Sequence, residues 1–330
     1  MSQQAYSQYY QPKKKKVPAW VWWLLGILVF VALVVVLAIA VNRQQEEAGS
    51  GLLPVGDSEY LAVLRVEGTM TADSSTTGYS YTASTYDQQY LLETLEALSE
   101  DENNQGLLLY IDSPGGEVLA ASDLADAVVA YKEATGRPVY AYGHGYAASG
   151  GYWLAAAADR FFVNRYCITG SIGVTYGTMF DFSGLLEKYG VKATSITSGA
   201  QKSMGSSWEE MTPETRAIFQ SIIDEYYGYF LDWVCAQRGM DREYLKTLAD
   251  GRIYTAVQAV DNGLADEVGD YDDCLAALQE LAGPDLEVVE LSPELSTNLF
   301  DLLMQTEAQR ELNSILSLAQ PSGILAYCEY

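Results

Sequence analysis

The chain has 330 residues, 49% hydrophobic and 19% charged, enough for one large domain or two small ones with real cores. Its formal net charge is −25, unevenly spread: residues 1–43 hold five basic side chains (Lys13, Lys14, Lys15, Lys16, Arg43) and no acid, leaving 14 basic against 44 acidic residues beyond. A net of −30 on that remainder repels nucleic acid and argues against a DNA or RNA partner, while four scattered cysteines without a CxxC pair and a single histidine exclude a zinc site.

Residues 1–12 are polar and low in complexity, the composition of a disordered tail. Residues 17–41, "VPAWVWWLLGILVFVALVVVLAIAV", are uncharged and apolar over a length that spans a bilayer. "KKKK" precedes them, and Trp20, Trp22 and Trp23 mark one interface. The expectation is a single transmembrane anchor with residues 1–16 cytoplasmic and everything after Arg43 outside the cell membrane. Ala38-Ile39-Ala40 resembles a signal-peptidase site, but the apolar run is about twice a normal signal core of ~7–15 residues, which favours an uncleaved anchor. Residues 42–57 read as a linker.

Strand and helix patterns then alternate. "YLAVLRVEG" (60–68) has the alternation of a strand; a Ser/Thr/Tyr-rich loop follows, then the helix "YLLETLEALSED". "GLLLYID" (106–112) reads as a buried strand, "SPGG" as a turn, and "EVLAASDLADAVVAYKEA" as a helix. "RPVYAYGHG" (137–145) repeats the strand, and an apolar helix begins after Ser149. Units of this kind predict an α/β fold with βαβ crossovers, a parallel core sheet and helices outside. Towards the C-terminus "DDCLAALQELAG" is helical, "DLEVVELS" a strand, and 299–320 an amphipathic helix before the tail "PSGILAYCEY". The four cysteines (Cys167, Cys235, Cys274, Cys328) are expected to be mostly buried free thiols.

The informative stretch is "YAASGGYWLAAAAD", where Ser149 sits among alanines and glycines at a helix start. A serine there is ordinarily an N-cap. Two glycine-rich strand-to-helix corners, Ser113-Pro114-Gly115-Gly116 and Ser149-Gly150-Gly151, offer another reading: backbone N–H groups brought close beside a serine are the makings of an oxyanion hole. A nucleophilic serine needs a base. His144 lies five residues upstream; Lys202, among small residues in "SGAQKSMGS", is the other candidate, with Lys188 and Lys192 as competitors. A lysine serves once it is desolvated enough to be neutral.

The set "IDSPGG", "AASGGYWLAAAAD", "TGSIGV", "SGAQKSMGS" and "GRIYTAVQAVDNGLADEVG" closely resembles the signal peptide peptidase A proteases of peptidase family S49, over roughly 58–275. The single copy of the pattern resembles the family's short form. The resemblance implies a ClpP/crotonase-like fold of repeated strand–turn–helix units over a protease domain at 58–285, with 286–330 a C-terminal helix and tail. It implies Ser149 as nucleophile, Lys202 as general base, Ser171 orienting that lysine, and Gly116 and Gly150 as the oxyanion-hole donors, with no cofactor or metal. It implies a membrane-bound homo-oligomeric ring, in which the lysine can come from a different unit than the serine, acting on remnant signal peptides and other apolar peptide substrates. Gln201 departs from the aromatic residue that family members often carry before the lysine. Two readings compete: an NfeD-type membrane protease with the same dyad but other apolar substrates, and a catalytically inactive membrane scaffold. A crotonase-type acyl-CoA enzyme shares the fold but leaves Lys202 and the anchor without a purpose.

Overall fold

A computed structural model describes residues 52–53, 58–72 and 86–292, together with the backbone of a short strand at 325–327. The expected anchor at 17–41 and helix at 299–320 lie outside the described residues. Among the described residues no helix is long and apolar enough to cross a membrane.

The sheet is built from β1 (Tyr60–Glu67), β2 (Asn104–Ser113), β4 (Val139–Ala148), β5 (Arg160–Val163), β6 (Ile168–Gly170), β7 (Ile253–Thr255), β8 (Glu267–Val268) and β9 (Glu287–Leu291), ordered β7-β6-β4-β2-β1-β9 with β5 and β8 branching from β4. Every pairing in it is parallel except β6 with β7 at one edge. The parallel expectation holds for the core, and the antiparallel edge is an addition to it.

Alternating residues of the central strands serve opposite faces, as the two-residue period of a strand requires. Ala62, Leu64 and Val66 of β1 with Leu107, Leu109 and Ile111 of β2 enter the larger core. Against it pack α1 (Gln88–Glu100), α2 (Val118–Thr135) and α3 (Gly150–Ala156). Leu61, Val63, Leu108, Tyr140 and Tyr142 face the other way, where Cys274 and Leu278 of α8 (Tyr271–Ala282) cover them.

Local chemistry sets the helix ends. Asp87 accepts the Tyr90 N–H at 3.1 Å to open α1, and Gly136, at φ 68°, closes α2. Asp270 and Asp273 cap each other's backbone N–H groups, both at 3.0 Å, at the start of α8. Between α3 and α8 come α4 (Ser183–Lys188), α5 (Pro213–Arg238), α6 (Arg242–Leu248) and α7 (Ala256–Asp261). Thr212 and Pro213 start α5, the Thr212 hydroxyl accepting the Thr215 N–H at 3.1 Å and the proline taking the first turn, where no N–H is needed. Cys167, Cys235 and Cys274 are free thiols; burial pushes Cys167 and Cys274 up to about 12. Cys328 is outside the described residues.

Candidate active site

Ser149 stands between β4 and α3, yet it does not cap that helix: its side chain makes no hydrogen bond to the first turn. The N-cap reading therefore fails, and the backbone shows why. Ser149 has φ 54° and ψ −116°, outside the extended conformation a capping serine adopts. Its Oγ is buried and has no hydrogen-bond partner among the described residues. The conformation is held from both sides. Its N–H donates to the Gly170 carbonyl at 2.8 Å, and its carbonyl accepts from Trp153 at 2.9 Å. A non-glycine residue at positive φ carries roughly 1–3 kcal/mol of strain and persists where its surroundings over-determine it. A strained strand-to-helix turn is one way a nucleophilic serine is held in place; here the hydroxyl it holds is buried.

The two glycine corners meet. A Cβ on Gly151 would stand 2.7 Å from the Ser113 carbonyl oxygen, so the start of α3 lies directly on the backbone of the first corner. That corner is not the bare turn its sequence suggests, because Gly115–Glu117 forms a strand, β3. Met70 provides the ladder: its N–H donates to the Gly115 carbonyl at 2.9 Å and its carbonyl accepts from Glu117 at 2.8 Å. Successive backbone groups of a strand point to opposite edges. The N–H and carbonyl of Gly116 therefore face away from Met70, towards β10 (Leu325–Tyr327), which pairs antiparallel with β3 and sets Ala326 opposite Gly116. Ser113 braces the corner: its hydroxyl donates to the Gly68 carbonyl at 2.6 Å and accepts the Gly115 N–H at 3.1 Å. Gly150 is the first residue of α3, where an N–H has no partner within the helix.

Ser171 is close to Ser149 through the sheet. Ala148 pairs with Gly170, and Ser171 follows at φ 53°, 6% exposed, its N–H donating to the Arg252 carbonyl at 2.9 Å. Ser149, Ser171, Gly116 and Gly150 thus gather at one end of the sheet.

Lys202 stands apart. It is exposed on a turn between α4 and α5, held by its N–H to the Gly199 carbonyl at 3.1 Å, and no hydrogen bond joins it to Ser149. Gln201, the departure from the family pattern, has a defined contact: its Oε1 accepts from the Thr215 hydroxyl at 3.0 Å and ties this turn to α5. His144 does not approach Ser149 either; it is exposed and stacks on Tyr110, centroids 5.3 Å apart, on the side of the sheet that carries Tyr142 and Tyr271. Lys188 and Lys192 are exposed. Sequence reasoning missed Met70, and it named Ser113 in the corner without its bracing role. Met70 is a lone large apolar residue in a Ser/Thr/Tyr-rich stretch, and that was its only signal.

A parallel-rich α/β sheet that presents a buried, strained serine beside two glycine corners fits the ClpP-like class of peptidase folds. Residues 131–285 match the family model described as peptidase family S49. The chain is 38% identical over 217 residues to "Putative protease MJ0651" of Methanocaldococcus jannaschii, covering 66% of this chain and 69% of that one. It is 37% identical over 195 residues to "Putative signal peptide peptidase SppA" of Enterococcus faecium, covering 59% and 56% of the two chains. It is 31% identical over 256 residues to "Serine protease SPPA, chloroplastic" of Arabidopsis thaliana, covering 75% and 36%. The chain belongs to peptidase family S49, and it is a peptidase.

Proposed function

We propose that the protein is a membrane-anchored serine endopeptidase with a Ser/Lys dyad that degrades remnant signal peptides, the apolar segments left after preprotein cleavage. The observation that carries the reading is the buried Ser149 hydroxyl, held in a strained turn and without a hydrogen-bond partner among the described residues. In the mechanism, neutral Lys202 takes the Ser149 proton as Oγ attacks a peptide carbonyl. The N–H groups of Gly116 and Gly150 hold the oxyanion, and Ser171 orients the lysine. The protonated lysine then gives its proton to the leaving amine, and water, activated by the same lysine, hydrolyses the acyl-enzyme. The edge of β3 that β10 occupies is where an extended substrate would add as a strand, with its scissile carbonyl on Gly116.

The separation of Lys202 from Ser149 within one chain supports a dyad completed between chains. The segment that carries Lys202 also exposes Phe180, Tyr189, Trp208 and Ile196, the last at 96%. Apolar surface of this kind suits burial against a second copy. The reading is a homo-oligomeric ring at the cell membrane, with Lys202 of one chain serving Ser149 of the next and the apolar run at 17–41 as its anchor. The test mixes inactive Ser149→Ala with inactive Lys202→Ala protein under conditions that exchange subunits. Partial recovery of peptidase activity is expected. A mixture that demonstrably co-assembles yet stays inactive refutes the shared dyad, and retained activity in Ser149→Ala refutes the mechanism.

A further inference from the structure

Strand β4 is irregular three residues before the serine it delivers. Ile111 of β2 pairs with Gly143 and Ser113 pairs with Ala147, so β4 uses four residues where β2 uses two. The same place is where β4 changes neighbours: Gly143 pairs with Val163 of β5, and Tyr146 pairs with Ile168 of β6. A bulge of this kind interrupts the ladder and re-aims the residues beyond it. One side chain reaches into the interruption. Asp112 Oδ1 accepts the Tyr146 N–H at 2.9 Å, and the carboxylate lies so close to Gly145 that a Cβ there would be 2.9 Å from the same oxygen.

Asp112 is itself fixed at the other end. Its backbone pairs with Glu67 of β1, and its carbonyl accepts from Gly68 at 3.0 Å. It immediately precedes Ser113, the brace of the Gly116 corner, while Tyr146 stands three residues before Ser149. This hydrogen bond therefore bridges the interruption between the strand that leads into one corner and the strand that leads into the other, beside the Ser113–Ala147 pairing.

We infer that Asp112 is a positioning residue for the peptidase reaction: by accepting the Tyr146 N–H it fixes the reach between the Gly116 donor and the Ser149 hydroxyl. The inference rests on Ser149 being the nucleophile. The role requires an acceptor oxygen and not a negative charge, which gives it a signature that a general stabilising contact lacks. A displacement of about 1 Å at a reacting centre is enough to lose on the order of 10²-fold in rate.

The test uses the full chain, a fluorogenic peptide for kcat and KM, and a fluorophosphonate for the reactivity of the serine alone. Asp112→Ala should lower kcat and the fluorophosphonate rate by at least about tenfold, with KM within about twofold. Asp112→Asn, whose amide oxygen still accepts, should restore kcat to within about threefold of the original chain. Gly145→Ala presses on the carboxylate without altering it; it should lower kcat at unchanged KM and decide the matter if Asp112→Ala does not fold. The inference is overturned if Asp112→Ala or Gly145→Ala turns over normally. It is equally overturned if Asp112→Asn is as slow as Asp112→Ala, or if a folded Asp112→Ala worsens KM as much as kcat. Ser149→Ala is the separate control: if it still reacts with fluorophosphonate, the nucleophile is wrong, whatever Asp112 does.

Discussion

Replacing Gly116 by alanine tests the Gly116 corner at the atom where it is tightest. A Cβ there would stand 2.0 Å from the Met70 carbonyl oxygen and 2.7 Å from both the carbonyl carbon and the nitrogen of the same residue. All three are backbone atoms, so no side chain can turn aside. Relief to an ordinary carbon–oxygen contact of about 3.3 Å opens the Met70–Gly116 bridge by about 1.3 Å. That movement stretches the 2.9 Å and 2.8 Å bonds between Met70 and its two partners, each worth on the order of 1 kcal/mol, so a stability loss of about 1–3 kcal/mol is expected. The larger effect is on the reaction. Moving the donor by that distance amounts to removing it, which lowers kcat roughly 10²–10³-fold, about 2.7–4 kcal/mol of transition-state stabilisation. The assay is kcat and KM on a fluorogenic peptide, with thermal unfolding measured on the same samples. Gly228→Ala, in α5 with its nearest neighbour Arg242 Nη2 at 4.0 Å, is the matched control and should stabilise by about 0.5–1 kcal/mol. A Gly116→Ala enzyme with kcat within about threefold of the original would refute the assignment of Gly116 as an oxyanion donor.

Four further outcomes are expected. Ser149→Gly and Ser149→Ala should both be inactive, but the glycine form should unfold at the higher temperature, because only glycine tolerates φ 54° without strain; equal melting points would show the turn is not strained. Deleting residues 321–330 removes β10 from the Gly116 edge, so peptide KM should fall with kcat little changed, and an unchanged KM would mean that the edge is open in solution. Burial pushes the Asp266 carboxyl up, but two hydrogen bonds from Arg238, at 2.7 and 2.9 Å, and one from the Phe161 N–H hold it net below the usual range. A depressed carboxylate gives stability that is complete above the unfolded-state value of about 4 and is lost as pH falls through the lower folded one; Asp266→Asn should lose that acid-side slope in chemical denaturation, and an unaltered slope would refute the linkage. If a lysine is the base, kcat/KM rises with pH to a plateau in the neutral-to-alkaline range, whereas a profile flat from mildly acidic pH upward would point to another base.

The elements that carry their own chemistry were legible before the structure. "EVLAASDLADAVVAYKEA" ends at Gly136 because a left-handed glycine stops it, and α5 begins at Thr212-Pro213, a capping hydroxyl followed by a proline suited to the first turn. The meeting of Ser149 with the two glycine corners was legible in the residues themselves, whereas Ser171 was anticipated only through a resemblance. What composition could not show was anything made by a distant partner. "SPGG" reads as a turn, and it becomes the strand Gly115–Glu117 because Met70, from a polar stretch some 45 residues earlier, bridges one edge of it and β10 pairs with the other. The bulge at 144–146 is equally invisible, since it exists where β4 exchanges β5 for β6. Lys202 could be nominated by its small neighbours, but where its ammonium goes depends on what covers an exposed turn.

The position of β1 between β2 and β9 bears on how the chain folds. β1 pairs with β2 from Tyr60↔Asn104 onward, a connection that can close soon after residue 113 has emerged from the ribosome. Its other edge waits for β9, with Tyr60↔Glu287 as the first pair, so the whole of both glycine corners and the Ser171 turn is synthesised before that edge is sealed. Closing so long a loop is entropically slow, and until it closes "LAVLRV" presents a bare, apolar strand edge. Vectorial emergence therefore leaves the two glycine corners on an unfinished sheet, the stage at which association between nascent chains competes with correct folding.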